Sequence, residues 1–517
     1  MPGYPRPEKV RPCALADLAA LVGSPAPASA QVTGVTLASS EVRPGDLYAA
    51  LPGARRHGAE FLAEARAAGA VAVLTDPEGA DRAAEQGLPA LVVPDPRAVL
   101  GVVSARVYGD PSARLLMLGV TGTAGKTSTA YLLESGLRAA GHVTGMIGTV
   151  ETRLGDETIA SARTTPEAPD LQALLARAVQ RGVTAVAMEV SSHALKLGRV
   201  EGVRYAVGGY TNFGMDHLDL HLTVEDYFAS KARLFDGRSA RAVLNHDDPA
   251  LKSLVEDDTV TYSAAGNTDA TWYATDVAGE GYEQTFTAVG PAGPVPAGVR
   301  LPGRHNVANA LLAIAMLVEV GVEPAVAARG VAECTGVAGR LELVADRPVL
   351  GVVDYAHKPD AITAALAALR EVTAGRLICV IGAGGDRDRA KRPVMGHAAA
   401  VGADVVIVTD DNPRTEDPAV IRAELIAGIP TVPGQGPTAG GAALAPRTGG
   451  PEVAEVPGRR AAIEEAVRIA EPGDTIAVLG KGHEKGQEVA GEILPFDDRV
   501  ELAAALAEKF GHPGGTR

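Results

Sequence analysis

Apolar and polar residues alternate along this chain in blocks. In its last third, short apolar runs recur at 349–353, 377–381, 405–408 and 476–479, with helical periodicity between them. Such alternation predicts a parallel, doubly wound sheet. In that architecture ligands bind beyond the carboxyl ends of the strands. Each run is followed at once by a polar cluster: DYAH, GAGGDRDR, TDDNPR and GKGHE. The coincidence predicts one site assembled from several strand ends.

The earlier part divides into two further blocks. Residues 46–51 read as a strand, 58–68 as a helix stopped by Gly69, and 71–74 as another strand. An apolar strand at 115–120 opens the second block, which holds a second strand at 183–188 and runs to Leu343. The expected domains are therefore 1–112, 113–343 and 344–517, since 517 residues exceed one ordinary core. Residues 429–452, rich in Gly, Pro and Ala, and the tail 511–517 read as loop.

Composition narrows the function classes. Hydrophobic residues make up 46% and charged residues 21%, as in soluble globular proteins. Aromatics are only 4%, so the cores must be built from small aliphatic side chains. A net charge of −15 argues against non-specific nucleic-acid binding and leaves anions to local devices such as helix N-termini. Cys13, Cys334 and Cys379 form no CxxC, which suits a reducing compartment without disulfides or zinc. The apolar run 310–318 is too short to span a bilayer, and residues 1–12 lack an apolar signal region. A cytoplasmic protein is expected.

Residues 119–129, GVTGTAGKTST, lie between an apolar strand and a helical pattern. Backbone N–H groups in such a loop cradle phosphates. Lys126 can reach β- and γ-phosphates, and the Thr127 hydroxyl can bind Mg²⁺. The strict pattern wants glycine at position 120, where Val120 stands with Gly119 before it. Glu189 ends the second strand, followed by Ser191, Ser192 and His193. A carboxylate at a strand tip beside a phosphate loop is a candidate Mg²⁺ ligand.

Residues 222–235, LTVEDYFASKARLF, predict a helix. Thr223 is its N-cap with Asp226 three residues on, and Leu222 and Tyr227 are spaced for a hydrophobic staple. Lys231 falls on the apolar stripe of Val224, Tyr227, Phe228 and Phe235. Two readings stand. The lysine snorkels to water, or it is desolvated and reactive enough to form a carbamate with CO₂. Just upstream, Asp216, His217, Asp219 and His221 form either a polar turn or a source of metal ligands.

Taken together, the strings TGTAGKTST, TTPE (164–167), EVSSHAL (189–195), TNFGMDHLDLH (211–221), DYFASKARLF (226–235), LPGRHNVANAL (301–311), GVAGRLE (336–342), VDYAHKPD (353–360), GAGGDRDRAKRP (382–393), DNPR (411–414) and GKGHE (480–484) resemble the Mur ligase family over nearly the whole chain. The resemblance implies an α/β protein of three domains. These are a mixed α/β uridine-binding domain, a P-loop-type central ATPase domain with a mostly parallel sheet, and a Rossmann-like C-terminal domain. It implies an ATP- and Mg²⁺-dependent ligase that joins 2,6-diaminopimelate to UDP-N-acetylmuramoyl-L-alanyl-D-glutamate through an acyl-phosphate.

Residue roles follow from the same resemblance. Lys126, Glu189, His217 and Lys231 form the catalytic set. Thr127, Glu189, His217 and Lys231, as a carbamate, serve Mg²⁺. ATP falls to Thr121, Gly122, Thr123, Ala124, Gly125, Lys126, Thr127, Asn306, Asn309, Arg340 and Asp354. The muramoyl-dipeptide falls to Ser39, Thr164, Thr165, Ser191 and Arg199. Diaminopimelate falls to Arg387, Asp411, Asn412, Pro413, Arg414, Gly480 and Glu484. The chain departs from the family pattern at Ala124, in place of the usual Asn, at Gly214–Met215, in place of Ser-Arg, and at Leu197, in place of Gln. Partners are expected to be small molecules only, with a monomeric enzyme and neither nucleic acid nor membrane insertion. Folylpolyglutamate synthase, a relative with a similar loop, and an inactive nucleotide-binding regulator are the rival readings.

Overall fold

The computed structural model describes residues 4–25, 29–53, 55–214, 220–430, 438–439 and 451–511. Met215, Asp216, His217 and Asp219, most of 429–452 and the tail beyond Gly511 lie outside the described residues. The chain forms two compact units. One comprises Met1–Asp276, Phe286–Gly298 and Ala308–Cys334; the other comprises Val277–Thr285, Val299–Val307 and Thr335–Arg517.

Among the described residues the first unit contains two main sheets, besides a short antiparallel pair of Cys13–Ala14 with Gln31–Val32. In the smaller, Gly34–Thr36, Asp46–Ala50, Ala72–Thr75 and Ala90–Val92 pair in that order, all parallel. Leu47, Ala49 and Leu74 face Leu15, Leu18 and Leu100, whereas Tyr48, Ala50 and Val73 face Leu62 and Ala65. Both faces are covered, which is why these strands read as unbroken apolar runs. The helix expected at 58–68 is split into a 3₁₀ turn, Gly58–Phe61, and a helix, Leu62–Ala67. His57 starts the turn: its Nδ1 accepts from Ala59 N at 3.0 Å, while Glu60 accepts from His57 N at 3.2 Å.

The larger sheet is centred on Leu116–Thr121, flanked in parallel by Ala185–Glu189 and Val207–Tyr210. Thr144–Ile147 joins the former strand and Ala242–Asn245 the latter. Val120 lies opposite Glu189, and Thr121 opposite Tyr210, so three strands end on one edge. Helix Lys126–Ala139 begins directly beyond that edge.

The helix expected at 222–235 is Val224–Ala232, tightening to a 3₁₀ turn at Arg233–Phe235. Thr223 caps it, accepting from Asp226 N at 3.1 Å. The rest of the expected N-terminal motif is not made. Leu222 is 89% exposed, so no staple holds it. Tyr227 packs instead on Phe213 and His221 at ring separations of 5.5 and 5.1 Å. The Asp226 carboxylate pairs with Lys196 at 2.5 Å.

The second unit carries the predicted parallel sheet. Leu350–Asp354, Thr475–Leu479, Leu377–Ile381, Val405–Val408 and Glu452–Glu455 lie side by side in parallel, with Glu342–Ala345 antiparallel at one edge. Asp354, Leu479, Ile381 and Val408 align across the sheet, so the four polar clusters emerge from one edge. Arg459 and Asp498 form a fully buried pair at 2.7 Å, holding helix Arg459–Ile469 against helix Asp498–Phe510. Replacing Arg459 with Met strands the Asp498 carboxylate. The expected loss is about 3–5 kcal/mol, read as a lower denaturant midpoint for this unit, with recovery when Asp498→Asn is added.

Candidate active site

The phosphate loop is held open by glycine and closed by side chains from the segment after the neighbouring strand and from helix Arg304–Glu319. Gly122 has φ +142°, and a Cβ there would lie 1.8 Å from Thr211 Oγ1. Gly125 has φ +84°, and its Cβ would meet Asn309 Oδ1 at 2.5 Å, which puts Asn309 on the loop. Gly119 is not part of the loop. It lies within the strand against the Tyr205 ring. At Ala124, the backbone N–H donates to Asn212 Oδ1 at 3.0 Å, and the carbonyl accepts from Asn212 Nδ2 at 3.1 Å. An asparagine from the next strand's loop thus braces the position where the family usually carries one. Thr121 is fully buried, and Thr123 Oγ1 receives Gly214 N at 2.9 Å.

Two lysines converge on one loop carbonyl. Lys126 Nζ donates to Gly122 O at 2.7 Å and to Thr123 O at 3.0 Å. Lys231 Nζ donates to the same Gly122 O at 2.6 Å and lies 4.6 Å from the Tyr227 ring centre. Lys231 is 1% exposed, so the snorkelling reading is overturned. Its ammonium is inside the protein, against the loop.

Glu189 is buried at the strand tip, as expected. Its Oε2 accepts from Thr127 Oγ1 at 2.9 Å and Thr149 Oγ1 at 3.1 Å, and its Oε1 from Thr149 N at 2.7 Å. A Cβ on Gly148 would lie 2.4 Å from that Oε1, so only glycine lets the carboxylate reach Thr149. Thr164 Oγ1 lies 3.0 Å from Thr149 Oγ1. Thr165 Oγ1 donates to Glu189 O at 2.9 Å and receives Ser191 N at 3.1 Å. Arg199 pairs with Glu167 at 2.8 Å; burial pulls its pKa down while Glu167 pulls it up. The loop, Glu189, Lys231 and the TTPE residues therefore share one region of the first unit. Thr149 carries no motif in the sequence; the only local sign of it is Gly148 before it.

Ser39 lies elsewhere in that unit, in the turn Ser39–Glu41, and donates to Glu64 at 2.9 Å. Among the described residues, one trio has the spacing of a metal site: His57, Asp76 and Glu78. There His57 Nδ1 accepts from Ala59 N, Nε2 faces Asp76 at 3.1 Å, and Asp76 caps a helix through Gly79 N. Those bonds account for His57 and Asp76 as local bracing, and Glu78 is exposed.

The second unit builds a polar cluster at its strand ends. Asn412 Nδ2 donates to Glu484 Oε2 at 2.9 Å. Arg414, with φ +52°, donates from Nε to Glu488 Oε2 at 3.1 Å and from a terminal nitrogen to Gly385 O at 2.6 Å. Pro413 O lies against Gly385, and Asp411 Oδ2 against Gly480, each closer than 2.5 Å to where a Cβ would stand. Arg387 is exposed on the loop that also carries Gly384 and Gly385. Fully buried Arg392 ties this loop to the segment after DNPR. It donates to Gly384 O at 3.1 Å, Glu416 at 2.8 Å and Glu424 at 2.7 Å. Lys481, inside GKGHE but given no role from the sequence, is fully buried between Asn412 and Glu484.

Nearby in the same unit, the Asp354 carboxylate accepts from Leu341 N and Ala356 N at 2.6 and 2.7 Å. Burial pushes its pKa up, against Arg340 and these two donors. Arg340 stacks on Tyr355 at 4.7 Å. Asn306 Nδ2 donates to Pro302 O at 2.8 Å.

Three family models match the chain in order: "Mur ligase family, catalytic domain" over residues 31–108, "Mur ligase middle domain" over 120–317 and "Mur ligase, glutamate ligase domain" over 339–482. A relative from Streptomyces avermitilis is 52% identical over 517 residues, covering 99% of both chains. The chain belongs to the Mur ligase family. That Mur ligase is described as UDP-N-acetylmuramoyl-L-alanyl-D-glutamate–2,6-diaminopimelate ligase, as is one from Streptomyces coelicolor at 52% identity and the same coverage. A solved structure of a Mur ligase described by that name has a TM-score of 0.66 at 32% identity, covering 93% of this chain and 95% of its own. The Mycobacterium tuberculosis folylpolyglutamate synthase complexed with ADP and AMPPCP has a TM-score of 0.57 at 17% identity, covering 80% of this chain and 96% of its own, a likeness of fold alone. The α/β, three-domain Mur ligase architecture expected from the sequence is the one found.

Proposed function

We infer that this Mur ligase uses ATP to join 2,6-diaminopimelate to the D-Glu γ-carboxylate of UDP-N-acetylmuramoyl-L-alanyl-D-glutamate, a step in peptidoglycan precursor synthesis. The observation that carries the reading is 52% identity along the whole chain to relatives described by that activity. Geometry supports it, because the phosphate loop, Glu189, Lys231 and the TTPE residues share one region of the first unit, and Asn412, Arg414 and Glu484 gather at the strand ends of the second. In the domain division we propose, residues 1–112 take the UDP moiety, 113–343 the ATP phosphates and 344–517 the amine.

An amide does not form from a free carboxylate without activation. The γ-carboxylate oxygen attacks the γ-phosphorus of ATP, and ADP leaves. The amine of diaminopimelate then attacks the acyl-phosphate carbon, and inorganic phosphate departs. Two anions must meet in the first step, so positive charge has to be waiting. Lys126 and the backbone N–H groups of the loop supply it. Asn309 lies on the loop, and we assign Asn306, Arg340 and Asp354 to the nucleotide's base and sugar. Thr164, Thr165, Ser191 and Arg199 hold the dipeptide, with Ser39 toward the uridine.

Glu189 and the Thr127 hydroxyl fit Mg²⁺: they are hard oxygen donors, already 2.9 Å apart and buried. His217 and Lys231 complete the proposed set. Bound there, Mg²⁺ would offset phosphate charge. Lys231 would serve as a carbamate, its amine nitrogen bonding the carbon of CO₂ and losing a proton. Among the described residues no helix is long and apolar enough to cross a membrane. We place the enzyme in the cytoplasm as a monomer.

The test is direct. The chain is incubated with UDP-N-acetylmuramoyl-L-alanyl-D-glutamate and ATP, plus meso-diaminopimelate, LL-diaminopimelate or lysine in separate reactions. Product mass and phosphate release are read. The expected result is a diaminopimelate adduct with stoichiometric phosphate. Phosphate release stimulated by glutamate and a folate, but not by diaminopimelate, would refute the assignment.

A further inference from the structure

We propose that Lys481 is a positioning residue that sets the choice of amine. It offsets the charge of Glu484, so that the polar cluster favours an amine whose distal end carries both an ammonium and a carboxylate over one ending in a bare cation. The inference rests on the ligase activity proposed above.

Lys481 has no exposed side-chain surface, whereas the side chain of Glu484 is 34% exposed. A ligand therefore meets the acid and not the lysine behind it. The turn between them closes through Glu484 N donating to Lys481 O at 3.0 Å. It is fixed by Gly482, where a Cβ would lie 2.7 Å from Tyr355 Cβ. Lys481 Nζ then donates to Glu484 Oε2 at 3.1 Å and Asn412 Oδ1 at 3.0 Å. Glu488 N donates to the same Asn412 oxygen at 2.9 Å. An ammonium and a backbone N–H can only donate, so together they fix which way the Asn412 amide points. Its Nδ2 is left to donate to Glu484 Oε2 at 2.9 Å. Lys481 thus orients Glu484 twice, directly and through Asn412.

The same arrangement balances charge. Glu484 is paired with Lys481, and Arg414 with Glu488 at 3.1 Å. A distal end with one ammonium and one carboxylate keeps that balance. A lone ammonium adds an uncompensated positive charge close to Lys481, and like charges at short range in a partly dry site are costly. Without the Lys481 charge the cluster becomes more negative and the bare cation gains.

The experiment compares kcat/KM for meso-diaminopimelate and for L-lysine in the full chain, by amine-dependent ADP release and product mass. Lys481→Met is expected to lower the diaminopimelate-to-lysine ratio by about ten-fold or more, through the amine KM, with the ATP KM unchanged. Lys481→Arg keeps the ratio. Lys481→Met with Glu484→Gln moves it back toward the native value, because both charges are gone; a purely structural role predicts further loss instead. Equal losses for both amines in Lys481→Met overturn the proposal. Should that variant melt before assay temperature, Glu484→Gln alone decides. An unbalanced Lys481 then raises the ratio, and an unchanged or lower ratio overturns the idea. If the native chain uses neither amine, the ligase reading fails first.

Discussion

Lys231→Ala is expected to reduce ligation by about a thousand-fold or more, the scale for losing a group that organises charge in the transition state. The lysine is buried against the loop carbonyl of Gly122, a position a solvating lysine would not take. Two roles are compatible with that position, and they predict different behaviour. If Lys231 only braces the loop, short carboxylic acids added to the mutant change nothing. If its carbamate supplies an oxygen ligand, acetate or formate entering the space left by the side chain restores part of the rate. Initial rates across a titration of carboxylic acids separate the two. Full activity in the unsupplemented mutant would remove Lys231 from the mechanism.

Arg414→Ala is expected to raise the diaminopimelate KM by roughly 10- to 100-fold, the range for losing a charge-assisted hydrogen bond to a carboxylate. The ATP KM should stay within about two-fold, since the partners shown for Arg414, Glu488 and Gly385, lie beside the proposed amine site. Arg414→Lys is the informative companion. It keeps the charge but loses the planar fork, so most of the KM effect should persist. A parallel rise in both KM values would show that the substitution damages the fold and does not report on the amine site.

Much of this was legible in the sequence, for identifiable reasons. The four strand ends of the second unit could be read because parallel strands buried on both faces are continuous apolar runs. The residues after them must then sit on one edge. Lys126, Thr127 and Glu189 could be read because loop and strand tip have fixed relations to their own strands. Thr149 could not, because its contact with Glu189 spans 40 residues and depends on Gly148 lacking a side chain. Lys481 sat in a quoted motif, yet its role depends on burial, which spacing cannot supply. Leu222 was misjudged because Tyr227 had better partners in Phe213 and His221, rings whose approach depends on the tertiary fold. At Lys231 helical periodicity placed the side chain on the buried face, but the loop carbonyl it meets is 109 residues away in sequence.

The buried guanidinium of Arg392 has a mechanical consequence. It grips the carbonyl of Gly384 on one side and the carboxylates of Glu416 and Glu424 on the other. The strip bearing Arg387 and the strip bearing Arg414 are therefore riveted together behind the surface they present. When one strip is jostled, the other travels with it, and the spacing between their two guanidinium heads is preserved. In the amine site proposed above, discrimination would thus depend on a side chain that has no exposed surface of its own.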